Sequence, residues 1–160
     1  MLELISHSPE ETQGIGEHIG RLARRGDVFL LTGNLGAGKT CLTQGIARGL
    51  DIREHALSPS FVIIREMKGR LPLYHIDLYR LERLEEVADL GLDDYLYGAG
   101  VCVIEWADRG LRLMPEENLR IELSYLSETG RRLAFKPSGP RYAEVVALLA
   151  AAYSEPEGTG

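Results

Sequence analysis

Gly33-Asn34-Leu35-Gly36-Ala37-Gly38-Lys39-Thr40 is the stretch that decides the fold. It reads G-x-x-x-x-G-K-T, the pattern of a loop that wraps phosphate groups. Gly33, Gly36 and Gly38 let the backbone bend so that successive N–H groups face phosphate oxygens. Lys39 brings a point charge to the β- and γ-phosphates, and the Thr40 hydroxyl is a Mg²⁺ ligand of the right type. The flanks agree with this reading. Val28-Phe29-Leu30-Leu31 is a short apolar run suited to a buried parallel strand. Leu42, Ile46, Ala47 and Leu50 are spaced for the buried face of a helix. That helix would turn its positive N-terminal end toward the phosphates.

The chain has 160 residues, 44% of them hydrophobic and 26% charged, which predicts a soluble protein of one domain. No apolar run approaches the ~20 residues needed to span a bilayer. The N-terminal Met1-Leu2-Glu3-Leu4-Ile5 lacks the features of a secretory signal, so a cytoplasmic location is expected. Cys41 and Cys102 make no disulfide framework. Cys41 follows the loop at a helix start, where a thiolate is favoured, but a small buried filler is the expected role. Cys102 reads as core. The net charge of −6 argues against autonomous nucleic-acid binding, which usually needs a basic face. Basic residues cluster only locally, as at Arg65, Lys68 and Arg70.

Leu2 to Ile5 reads as a first strand. A helix then starts at Pro9, with Ser8 as N-cap and Glu11 completing a capping box. Ile15, Ile19, Leu22 and Ala23 give it an apolar face, and Gly26 is expected to end it. Phe61-Val62-Ile63-Ile64 and Leu73-Tyr74-His75-Ile76 predict a hairpin turning at Met67-Lys68-Gly69-Arg70. Leu84 to Leu92 predicts a helix, and Val101-Cys102-Val103-Ile104 a second buried strand. Leu119 to Leu126 and Arg132 to Phe135 predict a hairpin turning at Glu128-Thr129-Gly130. Pro140 opens a last helix with Tyr142, Val145, Val146, Leu149 and Tyr153 inward. Residues 1–153 form the expected single P-loop domain, and 154–160 a disordered tail.

A phosphate loop needs a carboxylate on a neighbouring strand for Mg²⁺. Glu105 follows one apolar strand and Asp77 another, and spacing alone leaves open which takes the metal and which orients water. Ser58-Pro59-Ser60 is either a nucleotide-sensing switch or a plain turn. Trp106, the only tryptophan, directly follows Glu105 and is either core or a sensor of nucleotide or partner. His7, His18, His55 and His75 show no metal-ligand spacing, so no zinc site is expected. Arg80, Arg83, Arg109, Arg131 and Arg132 are candidates for phosphate or base contacts, most of them expected to be solvated.

Together these segments resemble the bacterial TsaE (YjeE) family, the ATPase component of tRNA threonylcarbamoyladenosine biosynthesis. The resemblance rests on the phosphate loop, Ser58-Pro59-Ser60-Phe61, His75-Ile76-Asp77-Leu78-Tyr79-Arg80-Leu81 and Ile104-Glu105-Trp106, in the family's order and spacing. It covers roughly residues 5–140. It implies that Thr40 and Glu105 hold Mg²⁺ and that Gly36, Ala37, Gly38, Lys39, Thr40 and Cys41 wrap the phosphates. It places Asp77 near the γ-phosphate, where with Lys39 it would serve hydrolysis. Arg131 would contact the nucleotide, Pro9 to Thr12 would lie by the adenine, and Ser58 and Ser60 would form the switch. Ser60 stands where the family more often has Thr. The implied fold is α/β, a P-loop NTPase-type three-layer sandwich with a mostly parallel sheet and added antiparallel hairpins. The implied activity is ATP hydrolysis, slow alone and stimulated by partners, with ATP/ADP and Mg²⁺ as ligands. It would support threonylcarbamoyl transfer to the adenosine beside the anticodon of tRNAs reading codons that start with A. The implied partners are the transferase TsaD and its paralogue TsaB, with tRNA met only indirectly, no membrane, and a monomer when isolated. Two rivals remain at this stage. A small-molecule kinase needs an acceptor pocket and an Arg-bearing lid, and 109–112 is too short for one. A nucleotide-controlled binding module would not turn over, which the presence of both Asp77 and Glu105 disfavours.

Overall fold

The computed structural model describes residues 1–34, 36–53 and 64–153. In chain order the strands are β1 (Leu2–Ser6), β2 (Val28–Thr32), β3 (Ile64–Lys68), β4 (Pro72–Asp77), β5 (Val101–Glu105), β6 (Asn118–Tyr125) and β7 (Arg131–Ser138). The helices are α1 (Pro9–Leu22), α2 (Lys39–Gly49), α3 (Leu84–Ala88), α4 (Asp93–Leu96) and α5 (Pro140–Tyr153), with a 3₁₀ stretch at Ala107–Leu113. The strands form one sheet in the order β1-β7-β6-β2-β5-β4-β3. β2 runs parallel to both of its neighbours, β5 and β6, and β4 runs parallel to β5. The pairs β1–β7, β6–β7 and β3–β4 are antiparallel.

Every residue of β2 is buried, because both faces of the sheet are covered there. Phe29 and Leu31 point into one core with α1, α2 and α5, while Val28 and Leu30 point into a second with α3, α4 and the 3₁₀ stretch. These are the three expected layers. α5 is tied to the start of β2 by polar groups as well. The Tyr142 hydroxyl accepts from Val28 N at 2.8 Å, and Arg141 grips Asp27 through two nitrogens at 2.8 and 3.1 Å.

α1 and α2 meet backbone to backbone. A Cβ on Gly45 would stand 2.1 Å from Gln13 O, and one on Gly16 2.3 Å from Leu42 O. Gly20 and Gly49 make the same kind of approach one turn further on, with Cβ positions 2.3 Å from Ile46 O and Glu17 O.

Several expectations shift. α1 ends at Leu22, and Gly26 (φ +88°) belongs to the turn before β2. Ser8 Oγ does accept from Glu11 N at 3.1 Å, but Glu11 reaches past the cap to His7 N at 2.6 Å. Met67 and Lys68, read as turn, are strand, because Met67 is an inward residue with no exposure. The helix expected over 84–92 ends at Ala88, and after a turn in which Gly91 takes φ +67° a second short helix begins at Asp93. The late hairpin is longer, with β7 running to Ser138 to pair with the whole of β6 and with β1. Tyr153 is 40% exposed rather than inward, its ring resting edge-on against His18 at 5.2 Å. Phe61-Val62-Ile63 and the tail 154–160 lie outside the described residues. No helix among the described residues is long and apolar enough to cross a membrane.

Candidate functional site: the phosphate loop and two strand-end carboxylates

The loop leaves β2 at its C-terminal end and enters α2 at Lys39. Gly33 (φ +141°) has no room for a side chain, since a Cβ would lie 2.4 Å from Leu123 O of β6. Gly38 takes φ +103° and offers α2 no side-chain cap. The first-turn N–H groups thus meet no capping side chain, and these are the groups that bind anions at helix starts. Ala37 is buried, and Thr40 and Cys41 are half-buried in the first turn of α2.

Strand parity brings the carboxylates to this place. Leu73 of β4 and Val101 and Val103 of β5 face the α1/α2 core, so His75, Asp77 and Glu105 alternate onto the same face. Asp77 and Glu105 are direct partners in the β4–β5 register. The two candidates for one task therefore sit side by side. Lys39, buried at 4% exposure, lies within their field. Its amine donates to Gly33 O at 2.6 Å and Asn34 O at 2.9 Å and stands 4.2 Å from the Trp106 ring centroid. Burial lowers the Lys39 pKa, opposed by the charges of Glu105, Asp77 and Asp108. Burial raises the Asp77 carboxyl above its ordinary value. The Tyr79 N–H, donating to Asp77 Oδ1 at 2.9 Å, pulls it back, Glu105 raises it further, and His75 and Lys39 lower it.

Trp106 takes a left-handed conformation (φ 58°, ψ 38°) that turns the chain from β5 into the 3₁₀ stretch. Its ring contacts the Lys39 amine and the Tyr79 ring, whose centroid is 4.9 Å away, with Arg109 at 5.6 Å. From the far side of the loop comes Arg131. It donates to Ser127 O at 2.9 Å and Gly130 O at 2.8 Å and stacks 4.1 Å over the Tyr125 ring. A Cβ on Gly38 would stand 3.8 Å from both Arg131 Cγ and Thr12 Cγ2, so hairpin, loop and α1 converge there. Thr12 is itself buried, its hydroxyl 2.7 Å from Ser6 Oγ, and Pro9 is exposed at the first turn of α1. Of the other arginines, Arg83 pairs with Glu86 on α3, and Arg80 and Arg132 are exposed. Leu35, Ser58 and Ser60 lie outside the described residues.

Two contributors were not anticipated from sequence. Tyr125 closes over the loop, its hydroxyl 2.6 Å from where a Cβ on Gly36 would be. Nothing in the local sequence marks it, because the β2–β6 pairing that delivers it is non-local. His75 is fully buried with Nε2 2.5 Å from Glu105 Oε2, and its alternation with Asp77 was the available signal.

The donor set suits a hard cation. A hydroxyl and carboxylates, completed by phosphate oxygens and water, are what Mg²⁺ takes. No cluster of three His, Cys, Asp or Glu that could hold a metal exists among the described residues. Four buried side-chain polar atoms among the described residues lack a partner. Three of them, Thr32 Oγ1, His75 Nδ1 and Arg131 Nε, belong to the end of β2, the carboxylate strand and the hairpin, the elements that converge on the loop.

A family model described as threonylcarbamoyl adenosine biosynthesis protein TsaE matches residues 6–133. A Bacillus subtilis protein named tRNA threonylcarbamoyladenosine biosynthesis protein TsaE is 46% identical over 136 residues, 84% of this chain and 85% of that one. A protein of the same name from Treponema pallidum is 42% identical over 132 residues, 82% of this chain and 98% of that one. The crystal structure of YdiB from Bacillus subtilis superposes with a TM-score of 0.83 at 39% identity, covering 94% of this chain and 95% of the other.

Proposed function

Because the chain belongs to the TsaE family, we propose that it hydrolyses ATP in support of threonylcarbamoyl transfer to tRNA. Its place is tRNA threonylcarbamoyladenosine biosynthesis. The observation that supports ATP hydrolysis best is the registered pair Asp77 and Glu105 beside Lys39 at the mouth of the phosphate loop. One carboxylate suffices to help hold a cation, and the second is then available to orient an attacking water.

The chain's own groups divide the work as follows. The loop backbone from Gly36 to Cys41 wraps the phosphates. Lys39 exchanges its bonds to Gly33 O and Asn34 O for phosphate oxygens, which its three hydrogens favour as charge-assisted bonds. Thr40 and Glu105 would hold Mg²⁺, which would supply charge to offset that of the phosphates. Asp77 holds the water in line, and Arg131 and the start of α1 from Pro9 to Thr12 fix the rest of the nucleotide. Trp106, with Ser58 and Ser60, senses the partners, for which TsaD and TsaB are the candidates. The acidic net charge of −6 favours a protein partner as the link to tRNA.

The experiment is an ATP titration of wild type and Glu105→Gln, with and without Mg²⁺. The substitution keeps the shape and removes the charge near the cation. Binding with Mg²⁺ is expected to weaken far more than binding without it. An equal loss in both arms would remove Glu105 from the metal site.

A further inference from the structure

His75 is an imidazole with no exposure in the middle of a sheet strand. Nε2 lies 2.5 Å from Glu105 Oε2, while Nδ1 is buried without a partner. An ionised carboxylate only accepts, so Nε2 donates. A buried pair of this kind costs desolvation that apolar residues of the same volume avoid. Alignment of β4 with β5 does not require it. Leu73 opposite Val101 and Ile76 opposite Ile104 are all fully buried and already set the register. Glu105 is the last residue of β5, where the chain turns away through Trp106, and its buried carboxylate is met there by the His75 ring. The imidazole takes Oε2 and leaves Oε1 as the oxygen without that contact.

We propose that His75 is a positioning residue, which holds the Glu105 carboxylate in the rotamer that receives the divalent cation of a nucleotide complex. This rests on the reading above that Glu105 is a Mg²⁺ ligand. Outer groups that orient a metal ligand typically change metal affinity by about 10–100-fold when removed. The hydrogen bond that His75 makes is to Glu105, so its effect on the cation would run through that carboxylate.

The test is equilibrium binding of ADP and ATP, each with and without Mg²⁺, to wild type, His75→Gln, His75→Met and Glu105→Gln. Gln can present a donor nitrogen near the position of Nε2, whereas Met has similar reach and no donor. His75→Met is expected to lose on the order of 10-fold of the Mg²⁺-dependent gain in affinity and to bind metal-free nucleotide as wild type does. His75→Gln is expected to retain most of the gain. If His75→Met keeps the full gain, or His75→Gln loses as much as His75→Met, the positioning role is overturned. If wild type itself shows no Mg²⁺-dependent gain, or Glu105→Gln keeps it, the metal reading fails and takes this proposal with it. A measurement on wild type does not depend on the variants folding. The His75 Nε2–H signal in NMR is expected to shift when Mg²⁺ is added to the nucleotide-bound protein. A signal unmoved by Mg²⁺ that does raise nucleotide affinity would overturn the proposal.

Discussion

Cys41 sits in the first turn of α2, where a helix start favours thiolate. Burial works the other way and raises its thiol above the ordinary value of 9.0, against a downward pull from Arg131, with Glu10 adding a small push upward. The thiolate fraction at any pH is therefore below that of an ordinary cysteine. Iodoacetamide labelling of Cys41 at pH 7 is expected to be slower than for a free thiol, and its rate is expected to go on rising with pH beyond 9, where that of an ordinary thiol levels off. Cys102, pushed up to about 12 by burial, should stay unlabelled while the protein is folded. Mass spectrometry of timed samples checks both, and Cys41 labelling faster than a free thiol would place a thiolate beside the loop. Asp77 carries a different expectation. Asp77→Asn should slow turnover by roughly 100-fold with little change in ATP affinity, as for a group that acts mainly in the transition state. Single-turnover phosphate release alongside an ATP titration separates the two, and collapsed binding with unchanged turnover would exchange the roles of Asp77 and Glu105. The loop residues were legible because each is a chemical type at a fixed spacing. The pairing of His75 with Glu105 was not, because it needs the β4–β5 register, which no local pattern states.

Helix α1 was legible from its cap and its apolar period, yet its closest contact was not. Gly16, Gly20, Gly45 and Gly49 look like weak spots in two helices, each costing about 1 kcal/mol against alanine. In the structure they are where the two backbones touch. Gly14 on the same helix has nothing within 4 Å of its Cβ position. The pair makes a matched prediction. Gly14→Ala is expected to raise stability by up to about 1 kcal/mol, from helix propensity alone. Gly45→Ala is expected to lower it by about 3 kcal/mol, since the atom in the way is the Gln13 carbonyl and cannot swing aside. Urea denaturation of both variants measures the difference, and similar values for the two would mean α1 and α2 can separate freely. The strand run near 61–64 was misjudged in its extent for a related reason. Met67 faces the α1/α2 core between the exposed Glu66 and Lys68, and those charged neighbours disguised it as turn.

On the scale of the molecule, the apolar runs Val28–Leu31 and Val101–Ile104 predicted buried parallel strands, and the family resemblance implied the three layers. Strand order was not predictable. β1 joins the far edge through β7, a pairing between the two ends of the chain that composition cannot show. The whole protein also frames the last functional expectation. Site residues come from the loop, two strand ends and a hairpin, and none of the described elements forms a lid over them, so the isolated chain should hydrolyse ATP slowly. Adding its partner proteins should raise steady-state phosphate release. Fast turnover alone, unchanged by partners, would return weight to a free-standing ATPase or a kinase.

The position of β2 in the middle of the sheet also sets an order in time. Val28 waits for Cys102, and Phe29 for Leu119, before the strand under the phosphate loop has a neighbour on either side. Pairings this distant along the chain are slow to form, and a ribosome delivers the N-terminal half first. Until β5 and then β6 have emerged, a strand of five apolar-rich residues is held by no ladder, and Gly33 has no Leu123 carbonyl to close against. A nascent chain therefore carries its phosphate-loop sequence well before the strands that brace it.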